Sequence, residues 1–231
     1  MLEIKNNLES VRQRIAASCS ACGRDPAQVG LLAVSKTFGP EAVAQAYAAG
    51  QAAFGENYIQ EAVEKIQALA DLPLQWHCIG PVQSNKTRLV AEHFDWVQSI
   101  DRLKIAERLS AQRPTARGPL QVCIQVNIDG GPSKSGVPAQ EALALARAVA
   151  ALPGLRLRGI MTIPEPAAGE QATLAVHRRA KELFEQLRSA GLDLDTLSMG
   201  MSADLEAAIQ AGSTLVRVGS AIFGARARGI L

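Results

Sequence analysis

The chain has 231 residues, 48% of them hydrophobic and 20% charged, which is enough to bury a sizeable core in one large α/β domain. A formal net charge of +2 gives no electrostatic basis for a nucleic-acid or membrane-surface partner. Charges at Glu3, Lys5, Glu9, Arg12 and Arg14 argue against a signal peptide, and no apolar run is long enough to span a bilayer, so the expected location is cytoplasmic.

Residues 1–22 place Leu8, Val11, Ile15 and Ala16 between charges, the pattern of an amphipathic helix. Cys19 and Cys22 end that segment with C-x-x-C spacing. No second pair or nearby histidine completes a ligand set, so no metal is expected.

From residue 29 onward, apolar runs alternate with helical segments. The strands fall at 30–34, 52–55, 75–79, 96–99, 120–127, 156–160, 196–199 and 215–218. Between them lie helices at 40–49, opened by Pro40 and closed by Gly50, and at 57–70, 85–93, 101–112 and 138–151. Two more, 173–190 and 203–211, stop at Gly191 and Gly212. Eight strands at this spacing predict a single (β/α)8 TIM barrel over residues 1–231, with a doubly wound open sheet as the alternative. Little chain follows the last strand, so the extra N-terminal helix is expected to fill the slot of an eighth helix. The loop 129–136, Asp-Gly-Gly-Pro-Ser-Lys-Ser-Gly, is rich in turn formers and falls at the end of the barrel that carries active sites.

The C-terminal ends of the strands enumerate the barrel mouth. Lys36 follows strand one; an amine delivered among apolar walls loses its proton more readily and becomes a Schiff-base nucleophile, the plainer reading being a lysine that snorkels into water. Asn57 and Tyr58 follow strand two, His77 lies in strand three, Met161 and Thr162 end strand six, and Met201 and Ser202 follow strand seven. Ser202 is placed to cap the helix 203–211, and Gly219 with Ser220 closes the other side of an anion cradle. Period-2 alternation puts Leu215, Arg217 and Gly219 on one face of the last strand, so the guanidinium points into the barrel and requires a carboxylate or a ligand lone pair. An amine, an anion cradle and an inward arginine at one mouth suit an aldehyde-bearing phosphate ester with a ring nitrogen.

Seven motifs carry a resemblance: Ala33-Val-Ser-Lys-Thr37, Phe54-Gly-Glu-Asn57, His77-Cys-Ile-Gly-Pro-Val-Gln-Ser-Asn-Lys86, Ser133-Lys-Ser-Gly136, Arg158-Gly-Ile-Met161, Leu197-Ser-Met-Gly-Met-Ser202 and Val216-Arg-Val-Gly-Ser-Ala-Ile-Phe-Gly224. Together they resemble the pyridoxal phosphate homeostasis protein family, which is similar in fold to the barrel domain of alanine racemase. The resemblance implies that Lys36 holds pyridoxal 5′-phosphate (PLP) as a Schiff base, that Ser202, Gly219 and Ser220 bind its phosphate, and that Arg217 faces the pyridine nitrogen. It implies that Asn57, His77 and Met161 line the ring's surroundings, adds Met201 to the cofactor-binding set, and gives Lys134 a contact or transfer role. A monomeric, non-catalytic PLP holder in vitamin B6 homeostasis is then expected, with PLP-dependent apoenzymes as acceptors. An arginine at the ring nitrogen keeps it unprotonated and weakens the cofactor as an electron sink. The alternative is a narrow-scope amino-acid racemase, disfavoured because the tyrosine base of alanine racemase comes from a further domain that this chain, ending at Leu231, is expected to lack. Tyr58 does not correspond to that base. A cofactor-free aldolase using the same lysine is a third reading.

Overall fold

In a computed structural model that describes residues 2–131 and 135–224, eight parallel strands close into a ring. The strands are β1 (Gly30–Val34), β2 (Ala53–Glu56), β3 (Gln75–Cys78), β4 (Trp96–Ile100) and β5 (Leu120–Asn127), a two-residue β6 (Val137–Pro138), then β7 (Leu155–Met161), β8 (Thr196–Ser198) and β9 (Leu215–Val218). Pairing of β1 with both β2 and β9, and of β4 with β5, closes the barrel and removes the open-sheet alternative. β6 lies outside the ring, alongside the end of β5.

Nine helices are described: α1 (Leu2–Ala21), α2 (Pro40–Ala48), α3 (Ile59–Ala68), α4 (Thr87–His93), α5 (Leu103–Gln112), α6 (Ala142–Ala150), α7 (Glu170–Ser189), α8 (Leu205–Ala211) and α9 (Ser220–Phe223). None of them is long and apolar enough to cross a membrane. Strands buried on both faces read as continuous apolar runs, because each alternate residue packs either into the barrel or under the helices. Leu32, Val34 and Ile79 form an inner cluster, while Ala33, Val216 and Val218 join the large outer core. Leu8, Val11, Ile15 and Cys19 of α1 are buried in that outer core, and α1 packs against α2, α8 and α9. It therefore fills the expected slot, pinned by Arg12 Nη1 donating to Ala49 O at 2.9 Å and by Asn7 Nδ2 donating to Ile222 O at 3.0 Å.

Several element starts differ from the sequence reading. The helix expected at 138–151 begins at Ala142, because Val137 and Pro138 pair with β5 and Ala139–Glu141 make a 3-10 turn. The helix expected from residue 57 begins at Ile59. Asn57 is still in the loop there, packed so closely that a Cβ on Gly80 would lie 2.4 Å from its carbonyl oxygen. The helix expected from 203 begins at Leu205 with Asp204 at its N-cap position, so Ser202 is not the cap. The short α9 was not anticipated. Lys134 lies outside the described residues.

Candidate functional site

The strand ends surround a cleft of about 340 Å³. Seven of the nine expected residues line it: Lys36, Asn57, Met201, Ser202, Arg217, Gly219 and Ser220. Val34, Phe38, Ile79, Ile163, Ala203 and Gly224 complete the lining and were not named from sequence. His77 and Met161 do not reach the cleft. Both face inward but lie in the packed interior, Met161 against Trp96 and Cys123.

The half-buried Lys36 leaves β1 two residues after Val34, and the residues on either side of it are clamped. Ser35 Oγ donates to Glu56 Oε1 at 2.5 Å, and Lys65 Nζ donates to Ser35 O at 3.0 Å and to Glu56 Oε1 at 2.7 Å. Thr37 adopts a left-handed φ of 69°, uncommon for a β-branched residue, and its N–H donates to Glu61 Oε1 at 3.0 Å. Lys65 also bonds Glu61, at 3.2 Å, which ties both clamps to α3. Burial pushes the Glu56 carboxyl above the ordinary range, against the opposing pull of Lys65 and Ser35. Sequence reading missed this cluster because Lys65 reads as one more charge on an amphipathic helix.

Arg217 points inward as alternation required and is almost wholly buried. Its partners are neutral: Nη1 donates to Ser198 Oγ at 2.7 Å and Nη2 to Thr162 O at 2.8 Å. Burial lowers its pKa to about 10, partly offset by the charge of Asp204, so the guanidinium stays protonated at neutral pH. Beneath it, Ser198 Oγ donates to Gln98 Oε1 at 2.5 Å, and Gln98 Nε2 donates to His77 Nδ1 at 2.9 Å. His77 Nε2 lies 3.0 Å from Gln75 Oε1, and its ring stacks on Trp96 at 5.0 Å. Burial drives the His77 pKa down to about 3, so the imidazole is neutral, with Nδ1 accepting and Nε2 carrying the proton.

The remaining wall is built for close approach. Gly200 turns the chain after β8 with φ +96°, where a Cβ would lie 2.4 Å from that of Ala208. Gly219 lets the end of β9 lie against β1, since a Cβ there would come within 3.2 Å of Val34 O. Asp204 Oδ1 accepts the Met201 N–H at 2.6 Å and its Oδ2 pairs with His177 Nε2 at 3.0 Å, while Arg14 Nη2 donates to Ser202 O at 3.1 Å. These contacts hold the turn that presents Ser202. Phe38 stacks on Phe223 with centroids 5.2 Å apart, joining the loop after β1 to α9. The cleft thus offers an amine, a buried cation, a glycine- and serine-lined wall, and the buried Asn57 Oδ1, which has no hydrogen-bond partner in the protein. Among the described residues its lining carries no carboxylate, imidazole, phenol or thiol.

The profile of the alanine racemase N-terminal domain matches residues 3–227. The pyridoxal phosphate homeostasis protein of Pseudomonas aeruginosa is 59% identical over 226 residues, covering 98% of this chain and 97% of that one. Its counterpart in Escherichia coli K12 is 54% identical over 229 residues, covering 98% of each chain. Among solved structures, PipY of Synechococcus elongatus with PLP bound has a TM-score of 0.84 at 36% identity, covering 96% of this chain and all of that one. With a closed barrel, seven of the nine expected residues gathered at its mouth and this similarity along nearly its whole length, the chain belongs to the pyridoxal phosphate homeostasis protein family, within the alanine racemase N-terminal domain fold.

Proposed function

We propose that this protein binds PLP at the barrel mouth, covalently through Lys36, and serves PLP homeostasis by holding and handing on the cofactor rather than by transforming a substrate. The observation that carries the reading is the convergence of Lys36, Arg217, Ser202, Gly219 and Ser220 on one cleft. The residues present fit the group. Gly219 has no Cβ to obstruct an anion, Asn57 Oδ1 is buried at the cleft without a partner in the protein, and the Lys36 amine matches the aldehyde. When bound, PLP supplies an aldehyde for imine formation and a ring that withdraws electrons. Arg217, keeping its own proton, would serve the pyridine nitrogen as a hydrogen-bond donor without protonating it, and Ser202, Gly219 and Ser220 would hold the phosphate.

Two features support a holder over a racemase. Tyr58 is 53% exposed and neither it nor Tyr47 lines the cleft. Among the described residues the lining provides no second general base beside Lys36. We read residues 1–231 as one domain acting as a monomer, with PLP-dependent apoenzymes as acceptors and Lys134 as a contact for departing cofactor.

The test is borohydride reduction of the PLP-loaded protein followed by peptide mass analysis. The pyridoxyl mass is expected on Lys36, and Lys36→Ala is expected to lose covalent PLP. Full covalent retention by that variant would overturn the assignment. Exchange of an amino acid's α-hydrogen with deuterated water, dependent on Lys36, would restore the racemase reading.

A further inference from the structure

Ser198 and Gln98 do not line the cleft, and both are completely buried inside the barrel. They belong to a series of hydrogen bonds that crosses the interior from β9 through β8 and β4 to β3. Arg217 Nη1 donates to Ser198 Oγ, Ser198 Oγ to Gln98 Oε1, Gln98 Nε2 to His77 Nδ1, and His77 Nε2 faces Gln75 Oε1.

The series runs in one direction, and each link forces the next. A hydroxyl has a single proton. Ser198 gives its proton to Gln98, so only lone pairs remain for Arg217. Gln98 keeps its oxygen toward Ser198 because His77 Nδ1 takes its amide N–H, and that nitrogen accepts only while the ring is neutral. A buried imidazole with a pKa near 3 meets that condition at any physiological pH. Thr162 O, the second partner of Arg217, is likewise an acceptor without charge. The guanidinium is therefore fixed by two bonds at two different nitrogens, and neither bond cancels its charge.

We propose that Ser198 and Gln98 are positioning residues that aim Arg217 at the cleft as a cation bonded only to neutral groups, with Asp204 acting on it through space, and thereby set the affinity for the anionic ligand. The identity of that ligand rests on the PLP reading above; the direction of the hydrogen-bond series does not.

The experiment has two arms. In the first, PLP binding to Ser198→Ala, Ser198→Thr and the unmodified protein is followed by absorbance across pH. Ser198→Ala is expected to raise the PLP Kd about tenfold, the loss of one charge-assisted hydrogen bond, and to shift the pH profile of the bound-cofactor band; the hydroxyl of Ser198→Thr restores both. An unchanged Kd and an unchanged profile in Ser198→Ala overturn the proposal.

The second arm uses PLP-free protein and does not depend on Ser198→Ala folding. Nitrogen-15 NMR is expected to show His77 as the Nε2–H tautomer between about pH 5 and 8. Gln98→Glu, of similar volume, has no proton to give Nδ1 while its carboxyl is ionised and is then expected to make His77 titrate within that range. An Nδ1–H tautomer in the unmodified protein, or an unaltered His77 in Gln98→Glu, overturns the proposal. If the unmodified protein fails to take up PLP while the tautomer arm succeeds, it is the functional reading that falls.

Discussion

Lys65 and Arg217 are both buried cations beside the residues of the cleft, but their surroundings differ. Lys65 meets two carboxylates, Glu56 at 2.7 Å and Glu61 at 3.2 Å, and lies behind the wall that carries Lys36. Arg217 meets a hydroxyl and a backbone carbonyl, and lies on the inner face that looks into the cleft. A cation matched by carboxylates is consumed by the scaffold, here in fixing Ser35 and Thr37 around Lys36. A cation matched by neutral acceptors retains a field for a ligand.

The strongest way to break that contrast is to remove each charge in turn. Lys65→Met leaves Glu56 buried without its counter-ion and is expected to cost about 3–5 kcal/mol in urea unfolding, with part of the loss recovered by a paired Glu56→Gln. Arg217→Met leaves only neutral hydrogen-bond partners behind, and Asp204, which acts on it through space, keeps its own bonds to His177 and the Met201 N–H, so the ligand-free protein is expected to lose only about 1–3 kcal/mol. Equal costs would show that the two cations are held alike.

A smaller effect sharpens the interior side of the comparison. The His77 pKa is about 3 in the folded protein against an ordinary value of 6.5, so the unfolded chain binds the extra proton and the folded one resists it. The contribution of His77 is complete above pH 6.5 and is lost as the pH falls toward 3, at up to about 1.4 kcal/mol per pH unit. Denaturant titrations between pH 4 and 8 are expected to show this slope and to lose it in His77→Phe, which keeps an aromatic ring on Trp96 without a titrating group. Equal slopes would mean that the imidazole is not held neutral.

The smallest expected effect concerns Asp204, whose negative charge acts on Arg217 from a distance. Burial favours its protonated form, but hydrogen bonds with His177 and the Met201 N–H outweigh burial and hold the carboxyl below its usual value. Its stabilisation is present above the ordinary carboxylate pKa and fades as the pH falls through the depressed one. Asp204→Asn removes the charge and keeps its one carbonyl oxygen as the acceptor for the Met201 N–H, while its amide N–H faces His177 Nε2 as a donor. It is expected to flatten the acid limb of stability and, at low ionic strength, to tighten PLP binding roughly twofold.

The strand-end rule picked out most of the mouth, since Lys36, Asn57, Ser202 and Ser220 follow strands whose apolar runs are local and unmistakable. It picked out His77 and Met161 as well, because position along a strand says which face a side chain takes but not how deep it lies once the ring is packed. Ser202 read as a cap for a local reason too. The N-cap position falls instead on Asp204, whose carboxylate makes no cap bond to α8 and is engaged by the Met201 N–H within the turn and by His177 from α7, a partner 27 residues away. Phe38 and Phe223 become a wall only when the loop after β1 meets α9.

By itself the sequence determined the alternation of strands and helices, the inward face of Arg217 and the delivery of Lys36 at a strand end, because periodicity of two, periodicity of 3.6 and helix stops act over a few residues. Which buried polar groups meet was decided only by closure of the barrel. Ser198 and Gln98 are 100 residues apart, and Arg217 and Thr162 are 55 apart. Their bonds depend on strand register around a complete ring, and no short stretch of chain encodes that register.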